Sequence, residues 1–217
     1  MNPSSKYVWF FIVHTGEKLA VSMTTGRILN IPNILTLARI ALIPVFLLVA
    51  YWPPAIGVAE QDTNMTRHII LTAIFVVAAV TDWFDGYLAR SLNQTSAFGR
   101  FLDPVADKLM VAAALIVLVQ WQPSISMAFA AIVIISREIT VSALREWMAE
   151  LGARTNVAVS TVGKYKTAFQ MIAISVFLLN WQPLDTLAYL LLYTAVILTL
   201  WSMFIYLKAA WPYLKQP

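Results

Sequence analysis

The stretch TDWFDGYLARSLNQTSAFGRFLDPVADK, residues 81–108, decides the fold of this chain. It lies between two strongly apolar runs, IILTAIFVVAAV at 69–80 and LMVAAALIVLV at 109–119. Carboxylates beside apolar runs long enough to enter a membrane have a high free energy unless they are paired, so they indicate a functional site. The carboxylates of this stretch are Asp82, Asp85, Asp103 and Asp107.

The spacing of these acids predicts two facing pairs. On a helix, Asp82 and Asp85 lie at i, i+3 and Asp103 and Asp107 at i, i+4, so each pair shares one face. The polar segment 91–99 between them is long enough to reverse the chain, which would make the two helices antiparallel. Facing carboxylate pairs are unstable without cations. All-oxygen ligands favour hard divalent ions, so we predict Mg²⁺ or Mn²⁺.

The composition is that of an integral membrane protein. The chain has 217 residues, of which 60% are hydrophobic and 12% are charged, and its mean hydropathy is +0.73. A soluble domain is roughly 25% charged. The absence of cysteine excludes disulfides, a thiol nucleophile and a cysteine metal site. We expect a lipid bilayer around the protein and no nucleic acid partner, since the net charge of +4 is small.

Six apolar segments approach the roughly 20 residues that cross a bilayer, which predicts an all-α bundle of six transmembrane helices. The segments are about 33–52, 68–90, 99–121, 125–148, 162–181 and 186–208. This predicts a membrane domain over 31–210, with cytoplasmic tails at 1–30 and 211–217. A start at Met23 is an open hypothesis, because the sequence after it resembles a short cytoplasmic leader.

Three connections between these segments carry tryptophan and proline, at Trp52-Pro53-Pro54, Trp121-Gln122-Pro123 and Trp181-Gln182-Pro183. Tryptophan is favoured at the headgroup level and proline ends helices, so these turns should share one side of the membrane. On that side Arg67 is the only basic residue. By the positive-inside rule, both termini and the four aspartates therefore face the cytoplasm.

Other segments bring polar and basic residues to the same side. Asn33, Thr36 and Arg39 share one broad face of the first segment. Such residues around an anionic centre would suit a metal-bridged, phosphorylated ligand. The basic residues of the fourth and fifth segments are Arg137, Arg145, Lys164 and Lys166.

The pattern Asp82-x2-Asp85-Gly86-x2-Ala89-Arg90-x8-Gly99-x3-Asp103-x3-Asp107 resembles the motif of the CDP-alcohol phosphotransferases at every defined position. The resemblance covers roughly 30–210 through NIPNILTLARI, SREITVSALREWMAELG and VGKYKT. It implies a phosphatidyl transfer from CDP-diacylglycerol to an alcohol, two divalent cations, an active site at the cytoplasmic side, a bacterial inner membrane location and a homodimer.

The resemblance also assigns roles by motif position. It makes all four aspartates metal ligands, and Asp107 is in addition the proposed general base. The residues that it places around CDP-diacylglycerol are Asn33, Thr36, Gly86, Ala89, Arg90, Ser96 and Gly99.

The basic residues of the fourth and fifth segments predict the acceptor. Arg137, Arg145, Lys164 and Lys166 supply more positive charge than a zwitterionic alcohol needs, and arginine suits bidentate phosphate contact. A phosphate-bearing alcohol therefore fits better, and the resemblance implies sn-glycerol 3-phosphate, which would give phosphatidylglycerophosphate and CMP. Inositol 1-phosphate fits equally well by charge, so the choice between them depends on the resemblance.

Other interpretations remain beside these. Intramembrane carboxylates also occur in divalent-cation transporters, although the chain has no internal repeat of the kind typical of secondary transporters. A polyprenyl-type transferase would also use aspartates and metal, but its acid motifs lie on well-separated helices. The basic residues could serve only as positive-inside anchors, and Asn33 and Thr36 could cap or join helices.

Overall fold

The computed structural model of the protein describes residues 31–53, 60–91, 97–151 and 161–214. Over these ranges the chain forms six α-helices and one short 3-10 helix, Gln182–Leu184, and no strand. The predicted all-α bundle of six helices is therefore confirmed. The helices are α1 Ile31–Tyr51, α2 Glu60–Ser91, α3 Ala97–Trp121, α4 Ile125–Glu150, α5 Thr161–Leu179 and α6 Asp185–Leu214.

Four of the six helices contain described stretches with the length and polarity of membrane spans. Stretches in α1, α2, α4 and α6 are long and apolar enough to cross a bilayer, and Tyr165–Leu179 in α5 is a shorter apolar helix. Large apolar side chains such as Leu48, Ile132 and Ile197 point outward and are exposed. A soluble protein rarely exposes large apolar patches, whereas lipid tails solvate this surface.

Helix α3 forms the centre of the bundle, because it packs against α1, α2, α4 and α5. Its buried stripe repeats every fourth residue, at Ala106, Met110, Ala114 and Leu118. Residues four apart lie on one helix face. The two alanines allow neighbouring helices to approach closely, which matters where no hydrophobic effect drives helices together. The stripe starts beside Asp107, so the core holds the acidic end of α3 in place.

Hydroxyl side chains within the apolar helices donate hydrogen bonds to backbone carbonyls four residues earlier in the same helix. Thr72 Oγ1 donates to the His68 carbonyl at 2.8 Å, Ser175 Oγ to that of Met171 at 2.9 Å and Thr194 Oγ1 to that of Leu190 at 2.7 Å. Each bond satisfies a polar group that lipid could not.

Contacts between helix ends place the tryptophan–proline connections together. Arg67 Nη2 donates to the Trp52 carbonyl at 2.6 Å, and the His68 ring meets Trp121 edge-on at 4.9 Å. Asn180, with φ 52°, follows the last residue of α5 and lies 3.3 Å from His68 Nε2 through its Nδ2. An asparagine in this left-handed conformation commonly ends a helix. The prediction that the three connections share one end is confirmed.

Two helices extend beyond the predicted membrane segments. Helix α2 begins at Glu60, before the segment that starts at about 68, and α6 continues to Leu214, past the segment that ends at about 208. An α-helix needs only its own backbone hydrogen bonds to continue beyond the apolar segment.

Candidate functional site

A buried arginine contacts two of the predicted acids at the end of the bundle opposite the three tryptophan–proline connections. Arg39 Nη1 of α1 donates to Asp82 Oδ1 of α2 at 3.1 Å and to Asp107 Oδ1 of α3 at 2.5 Å. The arginine side chain is 2% exposed, whereas the two aspartates are 42% and 39% exposed. The Arg39 side chain thus lies deeper in the bundle than Asp82 and Asp107, and these two acids line an opening at the end of the bundle.

The polar face of α1 explains this arrangement. Asn33, Thr36 and Arg39 are all buried on one face of α1, and α1 packs against α2 and α3. Arg39 was not predicted as a site residue. The signal that could have found it was its position, i+6 from Asn33 and i+3 from Thr36, on the face that meets the acids.

The described carboxylates fit a divalent cation. Asp82 Oδ1 and Asp107 Oδ1 lie within 3.1 Å of one nitrogen atom, so a single cation at a similar position could contact both. Hard carboxylate oxygens are the ligands that Mg²⁺ and Mn²⁺ prefer. Among the described residues, no group of three or more potential metal-ligating side chains lies together. The side chains of Asp85 and Asp103, on α2 and α3, are outside the described part.

A second charged cluster joins α4, α5 and α6. Arg137 Nη2 donates to Ser202 Oγ at 2.6 Å, and its guanidinium carbon lies 5.7 Å from the centroid of the Tyr206 ring. Arg137 Nη1 also lies 3.4 Å from Glu138 Oε1, which accepts a hydrogen bond from Lys166 Nζ. Arg137 and Lys166 are buried. The structure therefore brings two of the four predicted acceptor-binding cations together through one carboxylate.

The cluster also contains buried groups with no hydrogen-bond partner among the described residues. These atoms are Arg137 Nε, Gln170 Oε1 on α5 and Thr199 Oγ1 on α6. Gln170 lies one turn from Lys166, and Thr199 lies three residues before Ser202, so both occupy the faces that carry the cluster. Buried polar groups are nearly always satisfied, which indicates a place for water or for a hydroxylated ligand.

The remaining predicted site residues are either exposed or outside the described side chains. Arg145 is exposed on α4. Ser96 lies outside the described residues, as do the side chains of several others, although their backbones belong to helices. These others are Gly86, Ala89 and Arg90 on α2, Gly99 on α3 and Lys164 on α5.

The fold and the site together define an integral membrane protein with an acidic opening at one end of a six-helix bundle. Comparison with known proteins then identifies the family. The model of the CDP-alcohol phosphatidyltransferase family matches residues 29–201. The chain therefore belongs to this family of enzymes, which confirms the resemblance inferred from the motif.

Curated bacterial relatives match nearly the whole chain. A protein of Pectobacterium atrosepticum is 49% identical over 191 residues, covering 87% of this chain and 98% of the relative. A protein of Haemophilus influenzae is 50% identical over 182 residues, covering 83% and 93%. One of Yersinia pestis is 48% identical over 192 residues, covering 87% and 99%. All three are named CDP-diacylglycerol–glycerol-3-phosphate 3-phosphatidyltransferase.

Proposed function

We propose that this protein transfers the phosphatidyl group of CDP-diacylglycerol to sn-glycerol 3-phosphate, giving phosphatidylglycerophosphate and CMP. The observation that carries the proposal is the match at about half identity to relatives named for this reaction over nearly their whole length. The acid pair joined by Arg39 and the cation pair joined by Glu138 support it, because the reaction needs a site for a diphosphate and a site for a phosphate.

Two divalent cations, Mg²⁺ or Mn²⁺, would be held by Asp82, Asp85, Asp103 and Asp107. The close approach of the Asp82 and Asp107 oxygens supports this assignment. When bound, such ions neutralise charge on a diphosphate and on the CMP leaving group. The carboxylates would hold the ions, and they make the opening acidic, which disfavours an anionic phosphate when no metal is bound.

Asp107 is the proposed general base. A hydroxyl oxygen of the acceptor attacks the phosphorus that carries the diacylglycerol, and the bond from that phosphorus to the bridging oxygen of CMP breaks. The hydroxyl proton passes to a carboxylate oxygen of Asp107, and the bond electrons leave with CMP. The Asp107 carboxylate is 39% exposed at the opening of the site, where an acceptor hydroxyl could reach it.

The nucleotide would be surrounded by residues from α1, α2 and α3. Asn33 and Thr36 present buried polar groups on the face of α1 that reaches the acids. Gly86 and Gly99 lack side chains, which would allow a nucleotide to approach the helix backbone closely. The remaining members of this set are Ala89, Arg90 and Ser96.

The acceptor phosphate would bind the cations of α4 and α5. Arg137 and Lys166 supply two positive charges against the single carboxylate of Glu138, which leaves a net positive site for an anion. Lys164 and Arg145 would add charge at its edge. Inositol 1-phosphate carries the same phosphate group, and the relatives' names support glycerol 3-phosphate over it.

We also place the protein in the bacterial inner membrane with both termini in the cytoplasm, because the basic residues gather at the acidic end of the bundle. A homodimer follows only from the family resemblance.

A panel of acceptors tests the proposed activity. Purified protein given CDP-diacylglycerol and Mg²⁺ should release CMP with glycerol 3-phosphate and much less with inositol 1-phosphate, serine, glycerol or choline. Preference for inositol 1-phosphate would overturn the acceptor assignment alone. No CMP release with any acceptor would overturn the proposed reaction.

A further inference from the structure

Arg39 is a residue whose placement the reaction chemistry does not by itself explain. Its side chain is 2% exposed, and a single nitrogen of it contacts carboxylates from two other helices at 3.1 and 2.5 Å. Nη1 therefore lies between one oxygen of Asp82 and one oxygen of Asp107, which is a position that another cation could also occupy.

The negative charges of Asp82 and Asp107 need a positive charge close to them. Two carboxylates held close together repel each other, and a nearby cation relieves the repulsion. Arg39 supplies one positive charge from the buried side of the pair, while Asp82 and Asp107 are roughly two-fifths exposed at the opening. The acids can therefore remain together on α2 and α3 when the opening holds no divalent ion.

We propose that Arg39 is a positioning residue that acts as the resident counter-cation of the Asp82–Asp107 pair and competes with a divalent cation for the same two oxygens. The inference rests on the metal-binding part of the proposed function. A divalent ion held by these carboxylates would be repelled by the guanidinium, because two positive groups close together repel each other.

Competition between Arg39 and a divalent ion predicts changes in stability and in metal affinity that a merely structural role does not. Loss of Arg39 leaves the metal-free protein with two unneutralised carboxylates, so the metal-free protein becomes less stable. The same loss removes the competitor, so the divalent ion binds more tightly. If Arg39 only packed the helices together, its loss would loosen the acid pair and weaken metal binding as well.

The experiment compares wild-type protein with Arg39→Gln after metal depletion in detergent. Mn²⁺ binding is followed by the electron paramagnetic resonance signal of the free ion, and unfolding is followed with and without Mg²⁺. We expect Arg39→Gln to bind Mn²⁺ about tenfold more tightly. Changes beside metal ligands typically lower affinity by about this factor or more, and the sign is opposite here because the removed group is a competing cation. Its metal-free Tm should fall by roughly 4 °C, and Mg²⁺ should restore most of that loss.

The matched control is Arg67→Gln, which removes an arginine that contacts the Trp52 carbonyl at the other end of the bundle. It should leave Mn²⁺ affinity unchanged. Unchanged or weaker Mn²⁺ binding in Arg39→Gln would overturn the inference. If Arg39→Gln does not fold, Arg39→Lys decides, because its single ammonium replaces the guanidinium less effectively. About threefold tighter binding is then expected, and binding no tighter than wild type refutes competition.

The proposed metal site is tested separately by Asp82→Asn. If wild-type protein binds no Mn²⁺, or binds it equally well in Asp82→Asn, the metal assignment itself fails. If binding depends on Asp82 but does not tighten in Arg39→Gln, only the role of Arg39 fails.

Discussion

Removing the more exposed member of the Glu138–Lys166 pair should destabilise the protein more than removing the buried one. Lys166 is 3% exposed and Glu138 is 23% exposed. Glu138→Met leaves a charged ammonium buried without its carboxylate, whereas Lys166→Met leaves a carboxylate that still has solvent and Arg137 beside it. Met is unbranched and apolar, so it fills either site with little strain.

The expected magnitudes follow from the burial of the group left behind. Removing one partner of a buried ion pair costs about 3–5 kcal/mol, and we expect Glu138→Met to reach about 3 kcal/mol. Lys166→Met should cost about 1–2 kcal/mol, since partial exposure and Arg137 reduce the penalty on Glu138. The double variant should be less destabilised than the sum of the two, because it leaves neither charge unpaired.

The assay is a double-mutant cycle on the free energy of unfolding in detergent. Glu146→Gln is the control, because it removes an exposed carboxylate on the same helix and should change stability by no more than about 0.5 kcal/mol. Equal costs for the two single variants, or a larger cost for Lys166→Met, would refute the reasoning from burial. Acceptor KM measured on the same proteins separates binding from stability: Lys166→Met should raise it, and Glu146→Gln should not.

Three further predictions concern catalysis, recognition and a helix end. Asp107→Asn should lower CMP release by at least about 100-fold, the usual contribution of a general base, and retained turnover would exclude that role. Arg137→Lys should raise the KM for glycerol 3-phosphate about tenfold and that for CDP-diacylglycerol little, because lysine cannot reproduce the guanidinium contacts with phosphate; equal changes in both would contradict the acceptor assignment. Asn180→Ala should cost about 1–2 kcal/mol in thermal unfolding, because its φ of 52° is left-handed. Asn180→Gly, which tolerates that conformation, should cost less, and the reverse order would contradict the prediction.

The helices were predictable because crossing a lipid bilayer takes roughly 20 apolar residues. Apolar runs and tryptophan–proline connections predict where a span begins and ends, and Trp121 does end α3. This pattern does not set the full length of a helix, because α2 begins at Glu60 and α6 ends at Leu214, both beyond the predicted membrane segments. Hydropathy reports the solvent around a helix, whereas the helix itself is maintained by backbone hydrogen bonds and packing.

The acids of the site were predictable for a different reason. Asp82 and Asp107 stand at helical spacings from Asp85 and Asp103 within 81–108, and such local spacing determines which side chains share a face. The basic residues were harder to predict. Arg137 and Lys166 could have been simple membrane anchors, and only their burial and shared contact with Glu138 distinguish them from exposed Arg145.

The sequence by itself therefore determined the class of protein, the helices and the acidic motif, all of which depend on neighbours along the chain. Only the tertiary structure decided which cation meets those acids. Arg39 lies 43 residues from Asp82 and 68 residues from Asp107, and their contact depends on how three helices are rotated about their axes. Packing around the stripe of α3 sets those rotations, and no spacing within a single helix encodes them.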